Sequence, residues 1–239
     1  MTNRVLPTVL VAAALGVSLA GCVPIFSPVS GPRVSDDRSI DAVDAVEVRT
    51  SGDLTVTLGD TPSLTITAPK SVLDRLTSDI VDGVLVLDVT GPRFGFDLGE
   101  IDYALTVPRL SAVTVQGSSD VTADFSEADE VAVEIDGSGD VEGSGIDASE
   151  VTVTISGSGD ITLAGTTDRQ TIQVDGSADI DTSELVSRST RIDLSGSGDI
   201  RVNATETLDV VLSGSGDIRY TGGATVTSDI SGSGSVTED

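Results

Sequence analysis

Through the second half of the chain, apolar and polar residues alternate with period two in short runs, and the runs recur at a near-constant interval. The tetrapeptide Gly-Ser-x-Asp starts at Gly117, Gly137, Gly157, Gly176, Gly196 and Gly214, and a last copy at Gly232 reads Gly-Ser-Gly-Ser. The spacings are 20, 20, 19, 20, 18 and 18 residues. Aligned on the first glycine, the copies form columns. Two residues before it stand Val115, Ile135, Ile155, Val174, Leu194, Leu212 and Ile230. Four after it stand Val121, Val141, Ile161, Ile180, Ile200, Ile218 and Val236. Four before it, Val113, Val133, Val153, Ile172, Ile192 and Val210 are apolar, and Ser228 breaks the column.

These columns predict structure by simple physics. Alternation with β-branched residues and leucine is the signature of a half-buried strand. The glycine-rich tetrapeptide turns the chain, and a second short strand opens at the apolar residue that follows. One unit has too little apolar surface to fold alone, but stacked units share a continuous core. A period of 18–20 residues fits one coil of a parallel β-helix, an all-β solenoid. At about 4.8 Å per coil, seven copies make a column of roughly 29 Å. Propeller blades need periods of about 40 residues or more, and the leucine-asparagine frame of leucine-rich repeats is absent.

Residues 40–110 follow the pattern less strictly and read as degenerate coils, with regular repeats over 111–238. Val46, Val48, Ser51, Gly52, Asp53 and Leu54 match the columns if Thr50 replaces the first glycine, so they form an eighth, worn copy. Leu64–Ile66, Val84–Val89 and Ala104–Val107 read as further strands. Ser71–Leu76 reads as a short helix with Ser71 as its cap and Asp74 at the third position. Gly91–Gly99 reads as a loop carrying Phe94 and Phe96.

The N-terminus has a different character. Residues 1–21 place Arg4 before an apolar run from Val9 to Ala20, the layout of a signal peptide. The run ends Leu19-Ala20-Gly21-Cys22, which resembles the lipobox of bacterial lipoproteins. That resemblance implies cleavage before Cys22 and attachment of lipid to its thiol, and hence an anchor on the extracytoplasmic face of the cell membrane. Residues 22–39, with prolines at 24, 28 and 32, read as a flexible membrane-proximal spacer. The expected organisation is thus signal peptide, spacer and a single domain over 40–238.

Composition narrows the chemistry. The 239 residues hold 39 acids and 13 bases, a formal charge of −26, with one cysteine and no histidine. Such a charge argues against nucleic acid, whose phosphates require clustered Lys and Arg. Without histidine, the usual activation of serine or cysteine is lost, as is imidazole metal ligation. The aspartate column Asp120, Asp140, Asp160, Asp179, Asp199 and Asp217 has two readings. It could form a row of calcium sites, since calcium takes six to eight oxygens. The favoured reading is that each carboxylate accepts N–H bonds within its own turn, as in Asx turns. Ser118, Ser138, Ser158, Ser177, Ser197, Ser215 and Ser233 read as turn-forming or hydrogen-bonded residues. No catalytic, cofactor-binding or metal-ligating residue is assigned; the one site residue named is Cys22.

The order of the strand pair at 46–58, the segments Leu73-Asp74-Arg75-Leu76, Asp82-Gly83-Val84-Leu85-Val86 and Val107-Pro108-Arg109-Leu110, and the Gly-Ser-Gly-Asp-Ile/Val units carry a second resemblance. Together they resemble the bacterial family called putative auto-transporter adhesin, head GIN domain, over about residues 40–238. What the resemblance implies is a β-helical envelope protein with no catalytic residues to carry over. The expected function is a membrane-anchored display domain that binds an envelope protein or a surface polymer. Two alternatives stand beside it: a structural or signalling envelope component that binds a partner protein, and a polysaccharide-active enzyme using paired carboxylates. Segments 143–150, 164–170, 182–190 and 203–207 are expected to form the displayed face.

Overall fold

The computed structural model describes residues 31–91 and 98–239. Residues 1–21, read above as a signal peptide, and Cys22, Phe94 and Phe96 lie outside the described residues. The rest is almost entirely strand: β1 (Arg33–Arg38), β2 (Ala45–Val48), β3 (Asp53–Leu58), β4 (Ser63–Pro69), β5 (Leu76–Val81), β6 (Val84–Val89), β7 (Asp102–Val107), β8 (Ala112–Val115), β9 (Val121–Asp124), β10 (Glu130–Ile135), β11 (Val141–Gly157), β12 (Ile161–Ser177), β13 (Ile180–Ser197), β14 (Asp199–Gly214), β15 (Asp217–Thr221), β16 (Thr225–Gly232) and β17 (Ser235–Glu238). One helical turn, α1 (Lys70–Leu73), interrupts them.

The strands wind into a parallel β-helix. On one side the ladder runs β5-β6-β2-β8-β10, then through the second halves of β11 to β14, to β16. On the other it runs β1-β4-β7-β3-β9, then through the first halves of β11 to β14, to β15 and β17. Strands β11 to β14 are long enough to bend round a corner between the two sides. Register follows the sequence columns: Val113 pairs with Val133, Ile155 with Val174, Leu194 with Leu212, and Ile200 with Ile218. The three apolar columns are buried from Val113 to Ile218 and form one continuous aliphatic core. Burial of this kind contributes about 1.5–3 kcal/mol per aliphatic side chain. It is lost at the final coil, where Ile230 is 41% exposed.

The worn copy at 45–58 is a true coil. Val46, Val48 and Leu54 lie opposite Val113, Val115 and Val121, residue for residue with the columns. Its other edge is covered by a coil made from β6 and β7, so the chain's spatial order is inverted there. Beyond that coil the pairing becomes antiparallel: β5 on β6, β4 on β7, and β1 on β4. These strands and α1 close the N-terminal end of the stack, burying Leu64, Ile66, Ala68, Val72 and Leu76. Two expectations change accordingly. Residues 33–38, read as spacer, form a strand of the domain. The helix is a single turn beginning after Pro69, with no side-chain cap, so Ser71 does not cap it.

Candidate functional site

The repeated corner is built by its glycines. A Cβ on Gly157 would sit 2.1 Å from the carbonyl oxygen of Gly137, and the same clash recurs at 1.9–2.2 Å from Gly117 through Gly232. The coils touch backbone to backbone here, and from Gly157 onward the first glycines also hold φ of +141° to +151°, where side chains are strained. The serine that follows faces solvent in all seven copies. At Ser138, Ser158, Ser215 and Ser233 the backbone N–H donates to the first-glycine carbonyl of the coil before.

The aspartate column makes the same step. The backbone N–H groups of Asp140, Asp160, Asp179 and Asp199 each donate to Oδ1 of the aspartate one coil earlier, at 2.9–3.3 Å. Asp217 Oδ1 takes both the N–H and the hydroxyl of Ser235, at 3.1 and 2.7 Å. The carboxylates therefore bond across coils, not within their own turns as the sequence suggests. Asp53 and Asp102 extend the column toward the N-terminal end. Burial pushes the Asp53 carboxyl above the usual range, Asp120, Asp102 and Glu100 push it further, and Arg33 opposes them. Arg33 closes that end of the column through ion pairs with Asp102 and Glu100. Among the described residues, no three of Asp, Glu, His and Cys are grouped so as to hold a metal ion.

Charge is distributed unevenly over the outer surface. Between Arg109 and Arg169 there is no Lys or Arg, yet thirteen acids lie there, all exposed or half-buried. From Arg169 onward, arginines reach back one coil: Arg169 to Glu150 at 3.1 Å, Arg188 to Asp168 at 3.6 Å, Arg201 to Asp181 and Arg219 to Asp199 at 3.8 Å. At a stacking distance near 4.8 Å, two unit charges repel by about 1 kcal/mol in water and about 3.5 kcal/mol at an effective dielectric of 20. Arginines relieve this in the later coils and, through Arg169 and Arg188, at Glu150 and Asp168; the other eleven acids of the middle coils have no ion pair among the described residues.

The segments expected to form a displayed face do so only in part. They lie almost wholly in strands, and about a third of their side chains are buried, among them Ile146, Ala148, Thr167, Leu185, Ser187 and Ala204. Gln170, Thr182, Ser187 and Thr190 form a hydrogen-bonded cluster inside the stack. Gln170 Nε2 donates to Thr182 Oγ1 at 2.9 Å, and the Thr182 and Ser187 hydroxyls donate to the carbonyls of Arg201 and Asn203. Outside, Asp129, Asp147, Asp168, Thr166, Val186 and Arg188 line a shallow groove of about 380 Å³. The sequence missed the inner cluster because polar residues in segments of unequal length give no column to read.

Comparison with known proteins agrees with this architecture. Residues 42–224 match the family described as putative auto-transporter adhesin, head GIN domain. The chain belongs to this family. Its fold matches the crystal structure of a putative adhesin from Bacteroides fragilis, with TM-score 0.83 and 22% identity, over 89% of this chain and 99% of that one. It also matches a putative lipid binding protein from Parabacteroides distasonis, with TM-score 0.68 and 23% identity, over 87% and 97% of the two chains. A putative adhesin from the same species gives 0.66 and 21%, over 89% and 99%. No curated protein matches the chain. The family is thus one named for adhesion, and its name describes no enzyme. No helix among the described residues is long and apolar enough to cross a membrane.

Proposed function

We infer that the protein is a lipid-anchored, extracytoplasmic display domain that binds a cationic partner on the cell envelope without catalysis. The observation that carries this reading is the outer surface of the middle coils, where acids accumulate from Asp120 to Asp168 with no base between Arg109 and Arg169. A stack of near-identical coils offers a long regular surface, better suited to an extended partner than to enclosing a small substrate. Its field draws basic groups and makes the contact sensitive to salt. The anchor rests on Leu19-Ala20-Gly21-Cys22. Family membership supports an adhesion-type role at the surface.

Two measurements test the reading. The full chain is incubated with cell-envelope material at low and high salt, beside a glycan-hydrolysis and lyase screen. Binding that falls at high salt, with no turnover, is expected. Reproducible turnover abolished by changing one acid, but not its repeat equivalents, would establish the enzyme alternative instead. Separately, Cys22→Ser should release the protein to the soluble fraction or stall its processing; normal membrane retention of that variant would refute the anchor.

A further inference from the structure

The outward face of the first coils departs from the rest of the stack. In β6 the inward residues Leu85 and Leu87 are buried in the core, and the outward ones, Val84 and Val86, are apolar as well. A strand that is apolar on both faces is normally covered on both. Val84 does not stand alone. The register carries it to Val81 on β5 and to Ala45, Ala112 and Ala132 on β2, β8 and β10, so one outward row is apolar across five neighbouring strands. The same row continues as Thr152, Thr171, Arg191, Asp209 and Thr227, polar in every later coil. The apolar part reaches solvent: Val81 is 53% exposed, Ala132 is exposed, and Val84, Ala45 and Ala112 are half-buried.

The row is bordered by hollows and by carboxylates. On one flank Val81, Val84 and Val86 form the wall of a depression of about 410 Å³ that Glu47, Asp79, Asp82 and Asp88 also line. Arg49 lies in it too, tied to both carboxylate oxygens of Glu47 at 2.6 and 3.0 Å. On the other flank, residues that precede the row on their strands, Val43, Gly83 and Pro108 among them, line a second depression of about 330 Å³. Arg109 and Asp44 meet there at 2.6 Å. Further along, Ala132 stands between Glu130 and Glu134 on one face of β10. An apolar wall with carboxylates beyond it suits a Lys or Arg side chain, whose stem is aliphatic and whose head is charged. The two arginines of this face are each held by a carboxylate, so acid stays in excess around the row.

The row spans four strand steps, about 19 Å, the length of a helix of about 13 residues. An amphipathic helix lays a stripe of positions i, i+3 or i+4 and i+7 on an apolar surface, and bases beside that stripe would fall on the hollows. A bilayer is a poorer match, because anionic headgroups would meet the acids of the rim, and a second copy of this face would set acid on acid. We propose that the outward face of β5, β6, β2, β8 and β10 docks a basic amphipathic helix of a partner protein, with aliphatic side chains on the row from Val81 to Ala132 and Lys or Arg side chains in the flanking hollows. This contact is distinct from the salt-sensitive one of the middle coils, because its centre at Ala45 is apolar and lies outside them, and it does not depend on the lipid anchor.

Phage-displayed random peptides of about 14 residues, selected on the full chain in mild detergent, test it. Selected sequences should combine aliphatic residues at i, i+3 or i+4 and i+7 with neighbouring Lys or Arg. Synthesised and followed by fluorescence anisotropy, they should bind Val81→Lys and Ala112→Lys at least about tenfold more weakly than wild type. They should keep most of their affinity between about 0.15 and 1 M salt. Both substitutions lie on the outer surface and add a base among acids, so their melting curves should match wild type; Ala132→Lys serves if either unfolds. Selected peptides that bind the lysine variants as tightly as wild type overturn the proposal, as does a selection that yields no such pattern. Binding that vanishes at high salt and ignores the variants would refute this contact and leave that of the middle coils standing. Attachment to phosphatidylcholine vesicles, or self-association, that weakens in the variants while no peptide is selected would also overturn it, by making lipid or a second copy the occupant.

Discussion

The regular coils from Ala112 onward and the N-terminal end before them solve the same problem by opposite means. In the regular coils each residue repeats the environment of its equivalent one coil earlier, so chain order and spatial order coincide. At the N-terminal end, β2 and β3 are sandwiched between a later coil and an inserted one, and antiparallel strands with one helical turn seal the core. Repetition builds length, but it cannot end a stack, because every repeat presents an edge that asks for another. Ending requires residues that break the columns. The buried Tyr103, whose hydroxyl meets Thr50 at 3.3 Å, and the Arg38–Asp36 pair have no equivalent in the regular coils.

The sharpest way to break this comparison is at the glycine column. Gly157→Val puts a branched side chain where even a Cβ lies 2.1 Å from backbone; the stack should fail to fold, or lose more than about 4 kcal/mol. Thr50, in the same column of the first coil, already carries a side chain. Thr50→Gly should cost only about 1–2 kcal/mol, from added chain entropy and the lost contact with Tyr103. Chemical denaturation of the two variants measures the contrast.

The aliphatic column gives the next effect. Ile155 is 1% exposed and Ile230 is 41% exposed in the same column. Ile155→Asp should cost about 3–5 kcal/mol by leaving an unpaired charge in a dry core, and Ile200→Asp should behave alike. Ile230→Asp should cost under about 1 kcal/mol. Equal melting temperatures for Ile155→Asp and wild type would show that the column does not form the core.

Smaller effects come from the aspartates. Asp160→Asn keeps an oxygen to accept the Asp179 N–H and removes one of the stacked charges. Its melting temperature at low salt should equal or slightly exceed that of wild type, with the gain vanishing at high salt. Calcium should add no more stability than magnesium at equal ionic strength; a calcium-specific rise lost in this variant would reveal a metal site. Asp53 tests the N-terminal end of the same column. Its carboxyl is raised in the folded state by burial and by its acidic neighbours. Ionising it therefore opposes folding, and stability is lost as pH rises through the raised value. Asp53→Asn should melt higher than wild type at neutral pH, and the two curves should converge in acid below the ordinary carboxylate range.

Much of this was legible in the residues. Columns are readable because every coil makes the same demand at the same place, and even the copy at 45–58 could be found through its match at Val46, Val48 and Leu54. What could not be read was its partner across space. Residues 59–110 leave the column and return, and nothing in their pattern says on which side of β2 and β3 they settle. The direction of the aspartate bonds was hidden for a similar reason. A carboxylate beside a turn can reach its own N–H or the next coil's, and only the offset between coils decides. Cys22, the one site residue the sequence singles out, lies outside the described residues.

The inverted coil also sets an order of events. Residues 33–107 can close on themselves, because β6 and β7 cover one edge of β2 and β3 while the antiparallel strands cover the end. That unit then exposes a single growing edge on β2 and β3. Each further coil brings its strands onto that edge by closing a loop of only about 20 residues, for which the entropic cost grows slowly with length. The expected folding order is nucleation followed by one-way growth, with the seed made by the N-terminal coils; slower folding for a variant in β2 or β3 than for one of equal stability loss in β14 would check it. Lengthening the stack by one regular coil would then add stability while leaving the folding rate nearly unchanged, since the slow step is already finished when the repeats begin.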